Sequence, residues 1–171
     1  FSGGHRQSIA AIIEKVAAYG AQQVCVTGGE PLAQKNCLPL LTALCDAGYD
    51  VSLETSGALD IAKVDPRVSR IVDLKAPGSG ESHRNRWENL AHLTPRDEIK
   101  FVLAGRADYE WMRAVIRERA LGAGGPSLLA STVWGSLAPR QLVAWVLEDA
   151  LPVRVQVQLH KIIWGAEAQG V

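Results

Sequence analysis

Two apolar periods take turns along this chain, and that alternation constrains its fold more than any single motif. Short runs with period two or unbroken apolar character read as strands: residues 23–27, "YDVSLET", "VSRIVDLK", "DEIKFVLA", "SLLAST" and "VRVQVQLH". Between most of them the spacing turns to 3.6. Residues 6–19 predict an amphipathic helix stopped by Gly20, and residues 34–48 predict a second, stopped near Gly48. "ADYEWMRAVIRERAL" predicts a third before a glycine-rich stop, and "APRQLVAWVLEDA" a fourth with Pro139 in its first turn. Residues 76–98 are the least regular stretch, with room for a short helix near Arg86–Leu93. Strands alternating with helices build parallel βαβ units, so the expected class is α/β with a helix-covered parallel sheet. A complete eightfold barrel takes about 250 residues. At 171 residues, the six strands predict one domain, an open sheet or a partial barrel, over residues 1–171.

Composition matters mainly for what it excludes. The 18 basic and 18 acidic residues balance, so no basic excess marks a nucleic-acid partner. No apolar run approaches a membrane span, and no signal peptide is visible, so the expected setting is the cytoplasm. Cys25, Cys37 and Cys45 fit a reducing compartment, match no metal-ligand spacing, and read as buried small apolar side chains. Residue 1 is Phe and the one methionine is Met112, so the chain reads as a piece of something longer.

In such folds the chemistry gathers at the carboxyl ends of the strands. There stand "TGGEP" after the first strand, "ETSG" after the second, "DLKAPGSGE" after the third, "STVWG" after the fifth and "LHK" at the end of the sixth. Loops and helix caps are polar anyway, but five such stretches on one edge point to a site. Gly28 and Gly29 permit close backbone approach or positive φ. Glu30 can accept from a cationic amine, and Pro31 stiffens the entry to the next helix. A carboxylate there would repel phosphate, and neither the phosphate-loop nor the dinucleotide fingerprint is present. The pocket suits a zwitterionic ligand such as an amino acid. Lys75 reads equally as a carboxylate binder or a solvated surface lysine. His160 by itself reads more readily as a packed or capping histidine than as a ligand.

The Gly-Gly-Glu-Pro stretch resembles the motif of the radical S-adenosylmethionine enzymes. Taken together, "VCVTGGEPLAQ", "VSLETSG", "VDLKAPGSGE", "DEIKFVLAGRADYEW" and "VQVQLHKIIWG" resemble, across nearly the whole chain, the 7-carboxy-7-deazaguanine synthases of the queuosine pathway. The resemblance implies a partial (β/α)6 barrel lacking its first β/α unit. It implies a carbon–nitrogen lyase that turns 6-carboxy-5,6,7,8-tetrahydropterin into 7-carboxy-7-deazaguanine with loss of ammonia. The implied cofactors are a [4Fe–4S] cluster, S-adenosylmethionine and Mg²⁺. The implied partners are the small-molecule pterin, a reducing partner such as flavodoxin or ferredoxin, and a second copy in a homodimer. Gly28, Gly29 and Glu30 would bind the cofactor's methionine amino group. Asp73 and Lys75 would lie on its ribose or carboxylate side with Glu54 and Thr55 nearby, and Ser131 and Thr132 would contact the adenosyl part. Thr27 and His160 would face the substrate, and the tail near Val171 would close the pocket.

The chain departs from the family in one respect: the Cys-x₃-Cys-x₂-Cys cluster loop and the Mg²⁺ ligand after it are missing. Such a chain should not cleave S-adenosylmethionine reductively, since three cluster thiolates are required. Losing a first βα unit would leave strand 23–27 as a sheet edge, so this chain alone is expected to be poorly soluble or oligomeric. Two rivals stand beside the radical-enzyme reading. One is a non-catalytic fragment that binds S-adenosylmethionine or a pterin; the other is a lyase with Lys75 as a Schiff-base nucleophile.

Overall fold

The computed structural model describes residues 5–168. Its centre is a six-stranded sheet in which every neighbouring pair is parallel and the order follows the chain: β1 (Gln23–Val26), β2 (Asp50–Thr55), β3 (Ser69–Leu74), β4 (Glu98–Leu103), β5 (Ser127–Thr132) and β6 (Val153–Val155). The sheet is open. β1 forms one edge and pairs with β2 alone; β6 forms the other. An open parallel sheet of this kind is consistent with the partial barrel that the resemblance implied.

Helices α1 (Ile9–Ala17), α2 (Cys37–Asp46), α3 (Arg106–Glu118) and α4 (Pro139–Glu148) sit where the 3.6 spacing placed them. Each is bounded by local chemistry. Ser8 caps α1, its Oγ accepting from Ala11 N at 3.1 Å. Pro139 opens α4, where its missing N–H costs nothing. Ahead of the segment 34–48 stands a 3₁₀ turn, Pro31–Ala33, where the Glu30 carboxylate accepts from Leu32 N at 3.1 Å. α2 then begins at Cys37.

Strand alternation sets which face is buried. Val51, Leu53, Val72, Leu74, Ile99, Phe101, Leu103 and Ala130 pack under the helices with Leu41, Leu44, Tyr109, Met112 and Leu142. Removing this apolar surface from water is the main stabilisation of the fold. The opposite, inner face carries Ser52, Glu54, Asp73, Glu98 and Lys100, all half-buried. Cys25 shares that face through its register with Ser52 and is exposed; the expectation of three buried cysteines holds for Cys37 and not for Cys25.

No α-helix joins β2 to β3. Residues 56–68 cross instead as a loop with Ile61, Val64 and Val68 buried in the core. Asp60 and Asp65 fold back on the backbone N–H groups of Ala62 and Arg67, at 2.9 and 3.0 Å. Between β3 and β4 the connection is three 3₁₀ turns, the last of them Trp87–His92, where the short helix was expected.

The sixth strand is shorter than its alternation. "VRVQVQLH" predicts a strand to His160, but β6 ends at Val155 and Leu159–Trp164 forms α5. As the outer strand β6 has hydrogen-bonding neighbours on one side only, so alternation alone does not hold residues 157–160 extended. Trp111 and Trp145 pack against the core as expected, with Trp87, while Trp134 and Trp164 are exposed.

Candidate functional site

At the carboxyl edge of β1, β2 and β3 the inner face of the sheet opens into a cavity of about 100 Å³. Thr27, Gly29, Glu54, Thr55, Asp73 and Lys75 line it, so the structure gathers six of the residues picked from sequence around one space. Gly28 and Gly29 carry φ of 101° and 62°, a pair of left-handed residues that only glycine adopts without strain. They turn the chain from β1 across the mouth of the cavity.

Glu30 has a role that its motif did not foretell. Its carboxylate reaches across to the end of β2. Thr55 Oγ1 lies 2.8 and 2.9 Å from its two oxygens, Ser56 N donates at 2.9 Å, and the Ser56 hydroxyl donates as well. With Leu32 N at 3.1 Å, both oxygens are engaged within the protein. Glu30 therefore ties the Gly-Gly loop to the "ETSG" loop and gives the cavity a fixed rim.

The floor is charged. Thr27 Oγ1 donates to Glu54 Oε2 at 3.3 Å, and Lys100 Nζ lies 3.7 Å from Glu54 Oε1. Lys75 Nζ donates to Asp73 Oδ2 at 2.7 Å. Asp73 Oδ1 is buried and has no partner among the described residues, and the same is true of Ser131 Oγ and Gln158 Oε1. Buried polar atoms are nearly always paired, so an orphan in a cleft points to a ligand.

The loop that presents Lys75 is clamped twice. Asn85 Oδ1 accepts from Lys75 N and Asn85 Nδ2 donates to Lys75 O, both at 2.9 Å. Asp108, buried at the start of α3, accepts from Gly78 N at 2.8 Å and from Ala104 N at 2.9 Å. A Cβ at Gly78 would lie 2.5 Å from Asp108 Oδ2, so the clasp requires glycine.

Other sequence choices fall elsewhere. Ser131 is on the inner face in register with Val102, while Thr132 pairs with Leu103 on the helix-covered side; neither lines the cavity. His160 does not stand at the end of a strand. It is exposed in the first turn of α5 and is outside the cavity lining. Val171 lies outside the described residues. Sequence reasoning missed Lys100, Ser56 and Ile71, which complete the lining. Lys100 had a visible signal, a cation in the middle of an otherwise apolar strand.

The chain is 46% identical over 171 residues to 7-carboxy-7-deazaguanine synthase of Chlorobaculum tepidum, a match covering 98% of this chain and 77% of the relative. It is 42% identical to 7-carboxy-7-deazaguanine synthase of Koribacter versatilis, covering 100% of this chain and 82% of that one. The chain belongs to the 7-carboxy-7-deazaguanine synthase family. No family model matches it. In three dimensions it is similar to Streptococcus suis SuiB bound to S-adenosylmethionine, with a TM-score of 0.61 at 10% identity over 99% of this chain and 48% of that one. SuiB bound to precursor peptide SuiA gives 0.64 at 9% identity over 92% and 43%. The chain thus spans about half the length of these solved structures, and the likeness concerns the fold.

Membership makes this chain one of a family of enzymes, and it sets a test for the cofactors that the motifs implied. For a metal or cluster the residues do not fit. No three His, Cys, Asp or Glu side chains gather to hold one among the described residues. Cys25 is on β1, while Cys37 and Cys45 are on α2. No step is therefore routed through iron–sulfur or Mg²⁺ chemistry. For S-adenosylmethionine the residues do fit: an orphaned carboxylate oxygen, a lysine beside it and a glycine pair at the mouth suit a ligand with both ammonium and carboxylate groups. No helix of the described residues is long and apolar enough to cross a membrane.

Proposed function

We propose that this chain forms the S-adenosylmethionine-facing and pterin-facing wall of a carbon–nitrogen lyase that makes 7-carboxy-7-deazaguanine from 6-carboxy-5,6,7,8-tetrahydropterin with release of ammonia. One observation of the structure carries the reading: the buried, unpartnered Asp73 Oδ1 beside Lys75 in the cavity, in a chain of this family. The cofactor would supply hydrogen-atom removal by its 5′-deoxyadenosyl group. This chain's residues do the rest of the work assigned to them here. The Gly28-Gly29 backbone receives the amino-acid end, with the Glu30 carboxylate fixing that loop more than binding the amine. Asp73 and Lys75 meet the ribose or the carboxylate with Glu54 beside them, Thr27 faces the substrate side, and Ser131 on the inner face meets the adenosyl part, which Thr132 on the helix-covered side would reach only from outside the cavity. His160 and the tail at Val171 would reach the pterin only from outside the cavity. A flavodoxin or ferredoxin reductant, a homodimer and a cytoplasmic setting belong to the same proposal and rest on the resemblance, whereas the implied [4Fe–4S] cluster and Mg²⁺ have no ligand set among the described residues.

Titration calorimetry tests it. The chain should bind S-adenosylmethionine saturably, and Asp73→Ala should weaken binding about tenfold, the scale of one lost charge-assisted hydrogen bond. Binding without any response to Asp73→Ala would move the ligand to another site; no binding of S-adenosylmethionine would end the reading. The Schiff-base alternative has less support, because Lys75 Nζ is engaged with Asp73 at 2.7 Å and is not poised as a free nucleophile.

A further inference from the structure

We infer that Lys100 is the carboxylate-binding cation of the cavity. The inference deepens the proposed function and rests on it.

Four charged side chains meet at this floor: Glu54, Asp73, Lys75 and Lys100. Each charge has a partner, and the pairing of Lys100 is the longest. Lys75 is spent on Asp73 at 2.7 Å. Glu54 accepts from Thr27. Lys100 makes its one ionic contact among the described residues at 3.7 Å, beyond hydrogen-bond length, although its side chain is only 20% exposed. An ammonium carries three N–H donors, and the distant Glu54 carboxylate takes none of them at hydrogen-bond length. Its placement is dictated by register. Lys100 is opposite Asp73 across β3 and β4, so both project from the inner face. Ile71, two residues before Asp73, lines the same cavity and supplies an apolar surface beside the cation. A flat, carboxylated ring system or the carboxylate end of an amino acid would satisfy Lys100 directly. The chemistry shared by both is a carboxylate accepting a charge-assisted hydrogen bond.

The two sources are separable by ligand pairs that differ in that one group. On the intact chain, affinities are measured for 6-carboxypterin and for pterin, and for S-adenosylmethionine and its decarboxylated form. In the wild-type chain one carboxylated ligand should bind about tenfold or more tightly than its partner. Lys100→Met should abolish that difference and leave the carboxylate-free partner within about twofold. Lys100→Arg should retain it. The pair that shows the selective loss names the source. Equal losses for both members of each pair, or no loss, would overturn the inference while leaving the proposed function in place. So would a wild-type chain indifferent to the carboxylate, a readout that needs no variant to fold. If the wild-type chain binds none of the four, the proposed function falls and this inference with it.

Discussion

Asp73 and Gly57 illustrate two ways in which a single residue serves the site. Asp73 does so by what it leaves open: one oxygen holds Lys75 and the other is buried without a partner. Asp73→Asn keeps the shape and removes the charge. It should weaken S-adenosylmethionine about tenfold in a calorimetric titration while leaving the thermal midpoint within a few degrees, since the ion pair is partly solvated. Gly57 has φ of +70°, and a Cβ there would lie 2.7 Å from Val72 Cγ1 in the core. Gly57→Ala should therefore cost about 1–3 kcal/mol in urea unfolding through strain and overpacking. A midpoint unchanged from wild type would show that the turn can relax.

Individual elements are joined by acids that act on the backbone. Asp108 reaches from α3 to the loops after β3 and β4, and Asn85 holds both backbone groups of Lys75. Asp108→Ala leaves two N–H groups short of an acceptor and should destabilise by about 2–5 kcal/mol, whereas Asp108→Asn, which keeps one acceptor oxygen, should cost roughly half as much. Denaturant midpoints of the two variants check the ranking. At the other end of the sheet Asp97 is 1% exposed and binds Arg70 and Thr94. Burial by itself would push its pKa up, but five hydrogen bonds from Arg70 and Thr94 outweigh that and hold the carboxyl below its ordinary range. A depressed carboxylate contributes stability that is complete above the unfolded pKa, near 3.9, and disappears as pH falls through the lower folded value. Wild-type stability should thus decline below about pH 4, and Asp97→Asn should be less stable at neutral pH with a shallower acid limb. Parallel acid limbs in unfolding measured from pH 2 to 7 would contradict this.

For the whole molecule, the open sheet is the governing fact. Among the described residues β1 is an edge with one paired side, and the inner face bears half-buried charged groups. An edge strand offers unpaired N–H and C=O groups to any second chain. The chain alone should sediment above its 18.4 kDa monomer mass. A single monomeric boundary with a sharp, cooperative melt would show the edge to be protected.

The sequence by itself determined the parallel α/β class, the six strands and the edge on which the site forms. Periodicity reports which side chains a strand or helix must bury, and that demand is local. It also pointed to the family, through "TGGEP" combined with "DEIKFVLAGRADYEW" and "VQVQLHKIIWG". Tertiary structure decided the rest. Register set Lys100 beside Asp73, because which residues stand opposite one another depends on the pairing between strands and not on either strand's own pattern. The alternation of "VRVQVQLH" predicted a strand to His160, yet an outer strand with one neighbour stops at Val155 and the histidine enters a helix. Glu30 read as a ligand for an amine, and only the fold brings Thr55 and Ser56 within reach of its carboxylate, 25 and 26 residues along the chain. Such contacts join segments distant in sequence, so no local rule contains them.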